Sequence, residues 1–588
     1  MNINNKLQKI KTNQIIFYIV LSILTFLEVE FLNSDAAFFK IKHRIVYIIL
    51  DLIVYFSIYT IIGLYSKKIL RSSLITLIVI NIFAWVNNII TQFRGLAFRL
   101  TDILSVKTAA NVAGMYSVKF NIFHLIWTAL FIVSLIMIII WSKHLNKISE
   151  TLTLKNKLIF SVLCLFFIVA IPFEAYTALG LNNFDGCYVG GYNLYLLHSA
   201  VPNTIKKPVG YNKDNYSDLT KVECTSQKRP NIIVIMNESF CDLNRVVDID
   251  TSEDVLPFFN KFIKEENIIE GNTYVSVFGG NTANSEMEFL TGSTMGFWGE
   301  ENLCYSMGYS KYMDILPNWL EQIGYDTYGM HPATGDNYGR RGVYQYMKFN
   351  NLWFIDEFLD KGAKTIHFDK AAYFLKEIIS DSENYRIITE EIARNDKPVF
   401  MFNTTIQNHG GYLWRGYNDV KIQNKVSNSE LNKETNEYLT LIKQSDKALE
   451  ELITSLKNSD EDTIVLFFGD HQPAVSLNLS RDLGKEPTRK EIFNTPFFIW
   501  ANFDIQEMHD VDTSLNYLPN ILLQQSGIGL LNQYQKNIEQ VREKYPVLCV
   551  NNTVDSSGKE LKFDTVFKSD DLLKEYKNQS YHVIYDAE

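Results

Sequence analysis

The sequence predicts a chain in two parts: an N-terminal five-helix transmembrane bundle, followed by an extracellular α/β domain with a mainly parallel central sheet. Two patterns carry this reading. Apolar stretches long enough to cross a bilayer crowd the first 175 positions. Beyond residue 229, short apolar runs bounded by turn residues alternate with amphipathic segments, as in βαβ units.

The apolar stretches fall near 14–32, 44–65, 73–92, 121–142 and 157–174. Each approaches the ~20 residues a helix needs to span the hydrocarbon core. The first is followed by further spans and does not read as a cleaved leader. Lys6, Lys9 and Lys11 precede the first span; Lys67, Lys68 and Arg71 separate the second and third; Lys143, Lys147, Lys155 and Lys157 separate the fourth and fifth. An excess of lysine and arginine marks cytoplasmic loops, so these lie inside the cell. The N-terminus is then cytoplasmic and an odd number of spans places everything after residue 175 outside, in a multi-pass plasma-membrane protein. The segment 92–119 dissents with Arg94, Arg99, Lys107 and Lys119. Its Phe93-Arg94-Gly95-Leu96-Ala97-Phe98-Arg99 run reads either as an interfacial segment or as a plain surface loop.

At 588 residues the chain exceeds one ordinary domain. The expected division is a transmembrane domain over 1–175, a linker over 176–228 rich in Asn, Gly, Tyr and Lys, a catalytic domain over 229–530 and a small C-terminal subdomain over 531–588. A net charge of −10 excludes the basic face of a nucleic-acid-binding protein. The cysteines at 164, 187, 224, 241, 304 and 549 show no CxxC and no repeated spacing, which points to neither a zinc site nor a disulfide scaffold. Cys187 with Cys224 is the pair most open to a bridge.

In the outer domain the reactive residues follow the apolar runs. Asn231–Met236 reads as a buried strand with Glu238 just past it. Tyr325–Met330 is a weaker strand followed at once by His331. Pro398–Asn403 leads to Asn408-His409-Gly410-Gly411, and Thr463–Phe468 to Gly469-Asp470-His471. Open α/β sheets bind ligands beyond the carboxyl ends of their strands. Each residue alone has an ordinary structural explanation, Glu238 as a helix cap and His331 or His409 as satisfied core histidines. Delivered together to one edge, they form a metal or catalytic constellation.

A further stretch, Val277 to Gly292, joins them. Gly279 and Gly280 permit a tight turn, after which Asn281-Thr282 opens a helix-like run containing Glu286, Met287, Glu288, Phe289 and Leu290. The Thr282 hydroxyl is thereby placed at or near a helix N-terminus, either as a simple cap or where free N–H groups favour an ionised oxygen. Assembled, Glu238, Asp470, His471 and the Thr282 oxygen would hold a divalent ion, which would favour loss of the hydroxyl proton and make the threonine a nucleophile. Phosphorus or sulfur esters are the natural targets.

The motifs Asn237-Glu238-Ser239-Phe240, Gly280-Asn281-Thr282-Ala283-Asn284-Ser285-Glu286, Asn408-His409-Gly410 and Gly469-Asp470-His471 resemble the lipoteichoic acid synthase and phosphoglycerol transferase family. That family comprises membrane-anchored members of the alkaline phosphatase/sulfatase superfamily, so the resemblance implies a sulfatase-like outer domain. It implies that Glu238, Thr282, Asp470 and His471 bind a divalent metal, commonly manganese, with magnesium or zinc as alternatives, and that Thr282 is the nucleophile. It also implies a head-group pocket of His331, Tyr338, Arg340 and His409. Tyr338 stands where well-known synthases have Trp. Arg340 can then clamp phosphate oxygens in bidentate fashion, His331 and Tyr338 can bond glycerol hydroxyls, and His409 can protonate the leaving oxygen. The implied donor is phosphatidylglycerol. The implied acceptor is a glycolipid or a growing polyglycerol-phosphate chain, as in lipoteichoic acid or a related cell-wall polymer.

A sulfatase acting on sulfate esters needs a Cys or Ser within C/S-x-P-x-R, and Thr282-Ala283-Asn284-Ser285-Glu286 has neither the Pro nor the Arg. A phosphoethanolamine transferase shares threonine and topology but carries paired extracellular cysteines. A non-catalytic envelope scaffold or lipid sensor is the reading outside the enzymes, and a full ligand set disfavours it.

Overall fold

The computed structural model describes residues 3–33, 45–66, 68–94, 97–100, 103, 120–145, 153–179, 191–199, 205, 207–299, 304–306, 312–368 and 377–587. Contacts divide the chain into two units, Met1–Val106 with Ser117–Pro202, and Lys107–Tyr116 with Asn203–Glu588. Most of the 92–119 segment, and Cys187 of the pair considered for a bridge, lie outside the described residues.

The first unit contains helices Ile3–Leu32, Ile45–Tyr65, Ile69–Arg94, Ile122–Trp141 and Leu154–Leu179. Within them Asn13–Leu32, Ile45–Tyr65, Ile69–Thr91, Ile122–Trp141 and Leu154–Pro172 are long and apolar enough to cross a membrane. The five expected spans are therefore present. Helices suit a bilayer because every interior backbone polar group is satisfied within the segment. Their outer faces stay apolar: the first helix buries Phe17 and Leu21 but exposes Ile15, Ile16, Ile19 and Ile23. Inside, Glu28 accepts from Asn81 Nδ2 (2.7 Å) and from the Ser134 hydroxyl, while Trp127 Nε1 donates to Asn81 Oδ1 (2.7 Å). Within the stretch expected to be a linker, a short helix Tyr192–His198 joins this unit, its Tyr192, Leu194 and Tyr195 sharing a core with Val29, Tyr47 and Tyr55.

The second unit is built on strands β1 (Asn231–Asn237), β2 (Ile268–Tyr274), β3 (Asp326–Met330), β4 (Asn351–Trp353), β5 (Ile366–His367), β6 (Glu377–Ile378), β7 (Val399–Thr404), β8 (Thr463–Gly469), β9 (Asn494–Ala501) and β10 (Met508–Ser514). Eight of them form one sheet in the order β10-β2-β9-β8-β1-β7-β3-β4, and β5 pairs with β6 apart from it. Strands β8, β1, β7, β3 and β4 run parallel to one another, and β9 runs against both β8 and β2. The mainly parallel sheet expected from the apolar runs is present.

Alternation along the strands explains why both faces are covered. Ile232, Val234, Met236, Leu466 and Phe468 point into one core with Ala283, Met287, Phe289 and Leu290 of helix Thr282–Thr291. Ile233, Ile235, Val465 and Phe467 point into the other, against Tyr385 and Ile388 of helix Asp381–Ile392 and Leu449 and Leu452 of helix Ser429–Lys457. Full burial of each large apolar side chain stabilises by roughly 1.5–3 kcal/mol, so apolar residues on both faces favour a strand covered on both sides. Toward the C-terminus β11 (Val547–Cys549), β12 (Asn552–Val554) and β13 (Glu560–Leu561) form a small antiparallel sheet, followed by helices Phe563–Ser569 and Asp571–Tyr581.

Candidate metal and nucleophile centre

Adjacent parallel strands bring the acids together. Asn237 at the end of β1 is in register with Gly469 at the end of β8, so the next residues, Glu238 and Asp470, leave the sheet side by side with His471 following. Ligand-type atoms of Glu238, Asp470 and His471 all lie within 4.8 Å of one another, and all three side chains are buried. Asp470 Oδ1 accepts from the backbone N–H groups of Ser239 (2.7 Å) and His471 (2.8 Å). Ser239 holds φ 54° to present its N–H, a left-handed conformation uncommon outside glycine. Asp470 Oδ2 has no hydrogen-bond partner although it is wholly buried.

His471 Nδ1 lies 3.1 Å from the Gln472 carbonyl, which places the ring proton on Nδ1. Its Nε2 lone pair then faces Asp470 Oδ2 at 3.2 Å and Glu238 Oε1 at 3.7 Å. Burial, and then the charge of Asp470, push the Glu238 carboxyl well above the usual range; burial raises Asp470 as well. Two buried acids and an imidazole lone pair converging on an unpartnered oxygen repel one another unless a cation lies between them. The donor set therefore fits a divalent metal, with borderline nitrogen and hard oxygen ligands.

Thr282 approaches from another element. Gly279 (φ 65°), Gly280 (φ 147°) and Asn281 (φ 64°) turn the chain sharply before the helix begins at Thr282. Asn281 occupies the cap position and its side chain makes no cap hydrogen bond. Thr282 Oγ1 instead sits 3.4 Å from Glu238 Oε2 and 3.5 Å from His471 Nε2. Two bonds tie this turn to the Asp-His loop: Gly279 N–H to the Gln472 carbonyl (2.9 Å) and Ser285 Oγ to the Asp470 carbonyl (2.7 Å).

The remaining candidates line a second group. His331 follows β3 directly, and its Nδ1 lies 2.8 Å from the Thr404 carbonyl at the end of β7. Burial and then Arg340 hold its pKa well below the ordinary value. Arg340 is buried, with Nε 3.0 Å and Nη2 2.6 Å from Glu286 Oε1. The Nε–Nη2 edge of the guanidinium is thus occupied by a protein carboxylate. Glu286 also accepts from Tyr305 (2.6 Å) and Tyr344 (2.8 Å). Tyr338, at φ 58°, presents its ring 5.6 Å from the Arg340 guanidinium carbon. His409 Nδ1 lies 3.3 Å from the Gly410 carbonyl, and burial followed by Arg415 lowers its pKa to about 4.

Several supporting residues gave no sequence signal of their own. Thr405 Oγ1 accepts from the Glu238 N–H (3.0 Å). Asn237 Nδ2 donates to Asp381 Oδ2 (2.9 Å) and the Tyr385 hydroxyl (3.0 Å), while its Oδ1 accepts from Asn408 (2.8 Å). Arg415 Nη2 donates to the His409 carbonyl (2.9 Å). Asn237, Asn408 and Glu286 stand inside the quoted motifs, but nothing marks Asp381 or Arg415 before the chain is folded.

The pattern of the sulfatase family matches residues 230–528, just over half of the chain. The chain belongs to the sulfatase family. Two curated relatives of this sulfatase-family chain come from Rhizobium meliloti (strain 1021). One, named for cyclic beta-1,2-glucan modification, is 25% identical over 61% of this chain and 55% of its own length. The other, the capsular polysaccharide biosynthesis protein RkpI, is 26% identical over 42% of each. The chain thus spans about half the length of the curated relatives it matches. Among solved structures, the Streptococcus pyogenes phosphoglycerol transferase GacH in complex with sn-glycerol-1-phosphate is similar in fold, with TM-score 0.51 and 21% identity over 65% of this chain and 95% of that one.

Proposed function

We propose that this protein is a metal-dependent, membrane-anchored phosphoglycerol transferase, with Thr282 as nucleophile and Glu238, Thr282, Asp470 and His471 as metal ligands. The observation that carries the reading is the Thr282 hydroxyl at an uncapped helix N-terminus, within 3.5 Å of both Glu238 and His471. A divalent ion bound there, manganese by family resemblance, would neutralise the two acids and favour the ionised hydroxyl.

Thr282 Oγ forms a bond to the phosphorus of phosphatidylglycerol. The bond from phosphorus to the diacylglycerol oxygen breaks, and that oxygen keeps the electron pair. A phosphate anion beside His409 raises the proton affinity of its imidazole, which takes up a proton from water, replacing the one Thr282 released, and delivers it to the departing oxygen. In the second half-reaction an acceptor hydroxyl attacks phosphorus, His409 takes its proton, and the electron pair of the broken phosphorus–Oγ bond returns to Thr282. His331 and Tyr338 would bond the glycerol hydroxyls. Arg340 would meet phosphate with the edge that Glu286 leaves open.

The acceptor is a glycolipid or a polyglycerol-phosphate chain in an envelope polymer pathway, with the catalytic domain outside the plasma membrane. A second reading of the acceptor, a sugar hydroxyl of an envelope glycan, draws support from the curated relatives named for glucan and capsular polysaccharide work. The deciding experiment is mass spectrometry of the Thr282 peptide after incubation with donor lipid. A glycerophosphoryl adduct from phosphatidylglycerol is expected. A phosphoethanolamine adduct from phosphatidylethanolamine would replace the donor assignment, and no adduct from either would leave a scaffold or lipid sensor.

A further inference from the structure

Asp381 is a buried acid that neither the metal set nor the substrate assignments use. It is the first residue of helix Asp381–Ile392 and is 0% exposed, as are Asn237, Thr405, Asn408 and Ser445. Among the described residues, no lysine or arginine pairs with it. Neutral donors meet its Oδ2 instead: Asn237 Nδ2 at 2.9 Å, and the Ser445 hydroxyl. Burial pushes its pKa up to about 6, against the opposing pull of Ser445, Asn237 and Thr405. A brace between helix and sheet could be built from an amide or an apolar residue, without the cost of burying an acid that has no cation beside it.

The bonds around Asp381 reach both parts of the proposed chemistry. On one side, Asn237 immediately precedes Glu238, whose N–H donates to Thr405 Oγ1 (3.0 Å); the Thr405 N–H donates in turn to the Met236 carbonyl (3.0 Å). On the other side, Asn408 immediately precedes His409. Asn408 Nδ2 donates to Asn237 Oδ1 (2.8 Å) and to Ser445 Oγ (2.9 Å), and the Asp381 N–H meets Gln407 Oε1 at 2.9 Å. The two segments leave the ends of neighbouring parallel strands, β1 and β7. Asp381 is thus bonded, directly or through one side chain, to the residue before a metal ligand and to the residue before the proposed proton-transfer group.

We propose that Asp381 is a positioning residue that fixes Glu238 and His409 relative to each other. The proposal rests on the metal and His409 roles given above. Hydrogen-bonded partners of this kind typically account for about 10–100-fold in metal affinity or activity. A reacting group displaced by about 1 Å can cost about 100-fold in rate.

The test uses the full chain in nanodiscs. Mn²⁺ binding is followed by electron paramagnetic resonance of the free ion. Turnover is followed at saturating Mn²⁺ by diacylglycerol release from phosphatidylglycerol, or from phosphatidylethanolamine if that is the lipid the parent cleaves. Asp381→Ala should raise the Kd for Mn²⁺ about tenfold or more, and lower kcat about tenfold or more with KM for the lipid within about twofold of the parent. Asp381→Ser carries the same expectations and decides the matter if Asp381→Ala does not fold. Asn384→Ala lies on the same helix and is equally buried, but its amide pairs with Asn403; it should lower Tm and leave Kd and kcat as in the parent. A folded Asp381 variant with parent-like Kd or parent-like kcat overturns the proposal, whatever its Tm. Equal losses in Asn384→Ala would show a general loosening of the sheet edge and overturn it too. A parent that binds no Mn²⁺, or cleaves neither lipid, overturns the reading of the outer centre and this proposal with it.

Discussion

Arg340 and Glu286 form a buried two-pronged ion pair, with Nε and Nη2 of the guanidinium 3.0 and 2.6 Å from one carboxylate oxygen. The remaining oxygen of Glu286 accepts from Tyr305 and Tyr344, so the carboxylate is held from three directions and the arginine is fixed by it. Arg340→Lys should lower turnover by about 100-fold, because an ammonium cannot fill both bonds to Glu286 and still reach phosphate. Glu286→Ala should in addition cost about 3–5 kcal/mol of stability, since it strands a buried guanidinium. Turnover assays with denaturant melts check both, and near-normal activity in Arg340→Lys would count against the clamp.

Thr282→Ala removes a hydroxyl whose neighbours are Glu238 and His471. Loss of diacylglycerol release with an unchanged Tm is the expected outcome. Residual release at more than a small fraction of the parent rate would show that some other group attacks.

Asp470 Oδ2 is the unpartnered oxygen at the centre, so Asp470→Asn should abolish the response to metal. In the parent protein a chelator should lower Tm and added Mn²⁺ restore it, by about 2.7 kcal/mol of stability at a hundredfold excess over Kd. Equal melting of the parent with and without chelator would remove the metal from the account.

Glu288 is buried on the helix Thr282–Thr291, where its Oε1 accepts from Ser276 (2.8 Å) and from the Met295 N–H (2.7 Å). Burial raises its pKa from 4.5 to about 7. The folded state therefore holds the proton more tightly than the unfolded chain, and this contribution is present below pH 4.5 and lost as pH rises through about 7. Glu288→Gln keeps an acceptor oxygen and removes the titration. Its Tm should fall less than that of the parent between pH 5 and pH 8, and parallel pH curves for the two proteins would refute the assignment.

The membrane spans and the central strands were legible because each follows from a local pattern: length and apolarity for the helices, and compact apolar runs for β1, β7 and β8. Glu238, Asp470 and His471 could be read as a group because they follow strand ends, and the parallel ladder converts that shared position into proximity. The pairing of Arg340 with Glu286 was not legible. Both residues were visible, but 54 positions separate them, and no periodicity relates a helix interior to the start of the short helix Arg340–Tyr346 after β3. The same holds for Asn237 and Asp381, which are joined across 144 positions only once the sheet and its flanking helix are packed.

The register of β1 with β8 has a consequence for how such a protein can change. Glu238 and Asp470 are spaced by the backbone ladder itself, and a one-residue slip would turn an acid toward the opposite face of the sheet. His331 and His409 stand in the connections after β3 and β7, and Tyr338 and Arg340 in the short helical segments Asn337–Gly339 and Arg340–Tyr346, all outside that ladder. Descendants of this scaffold can therefore exchange those segments while the spacing of Glu238 and Asp470 is inherited intact.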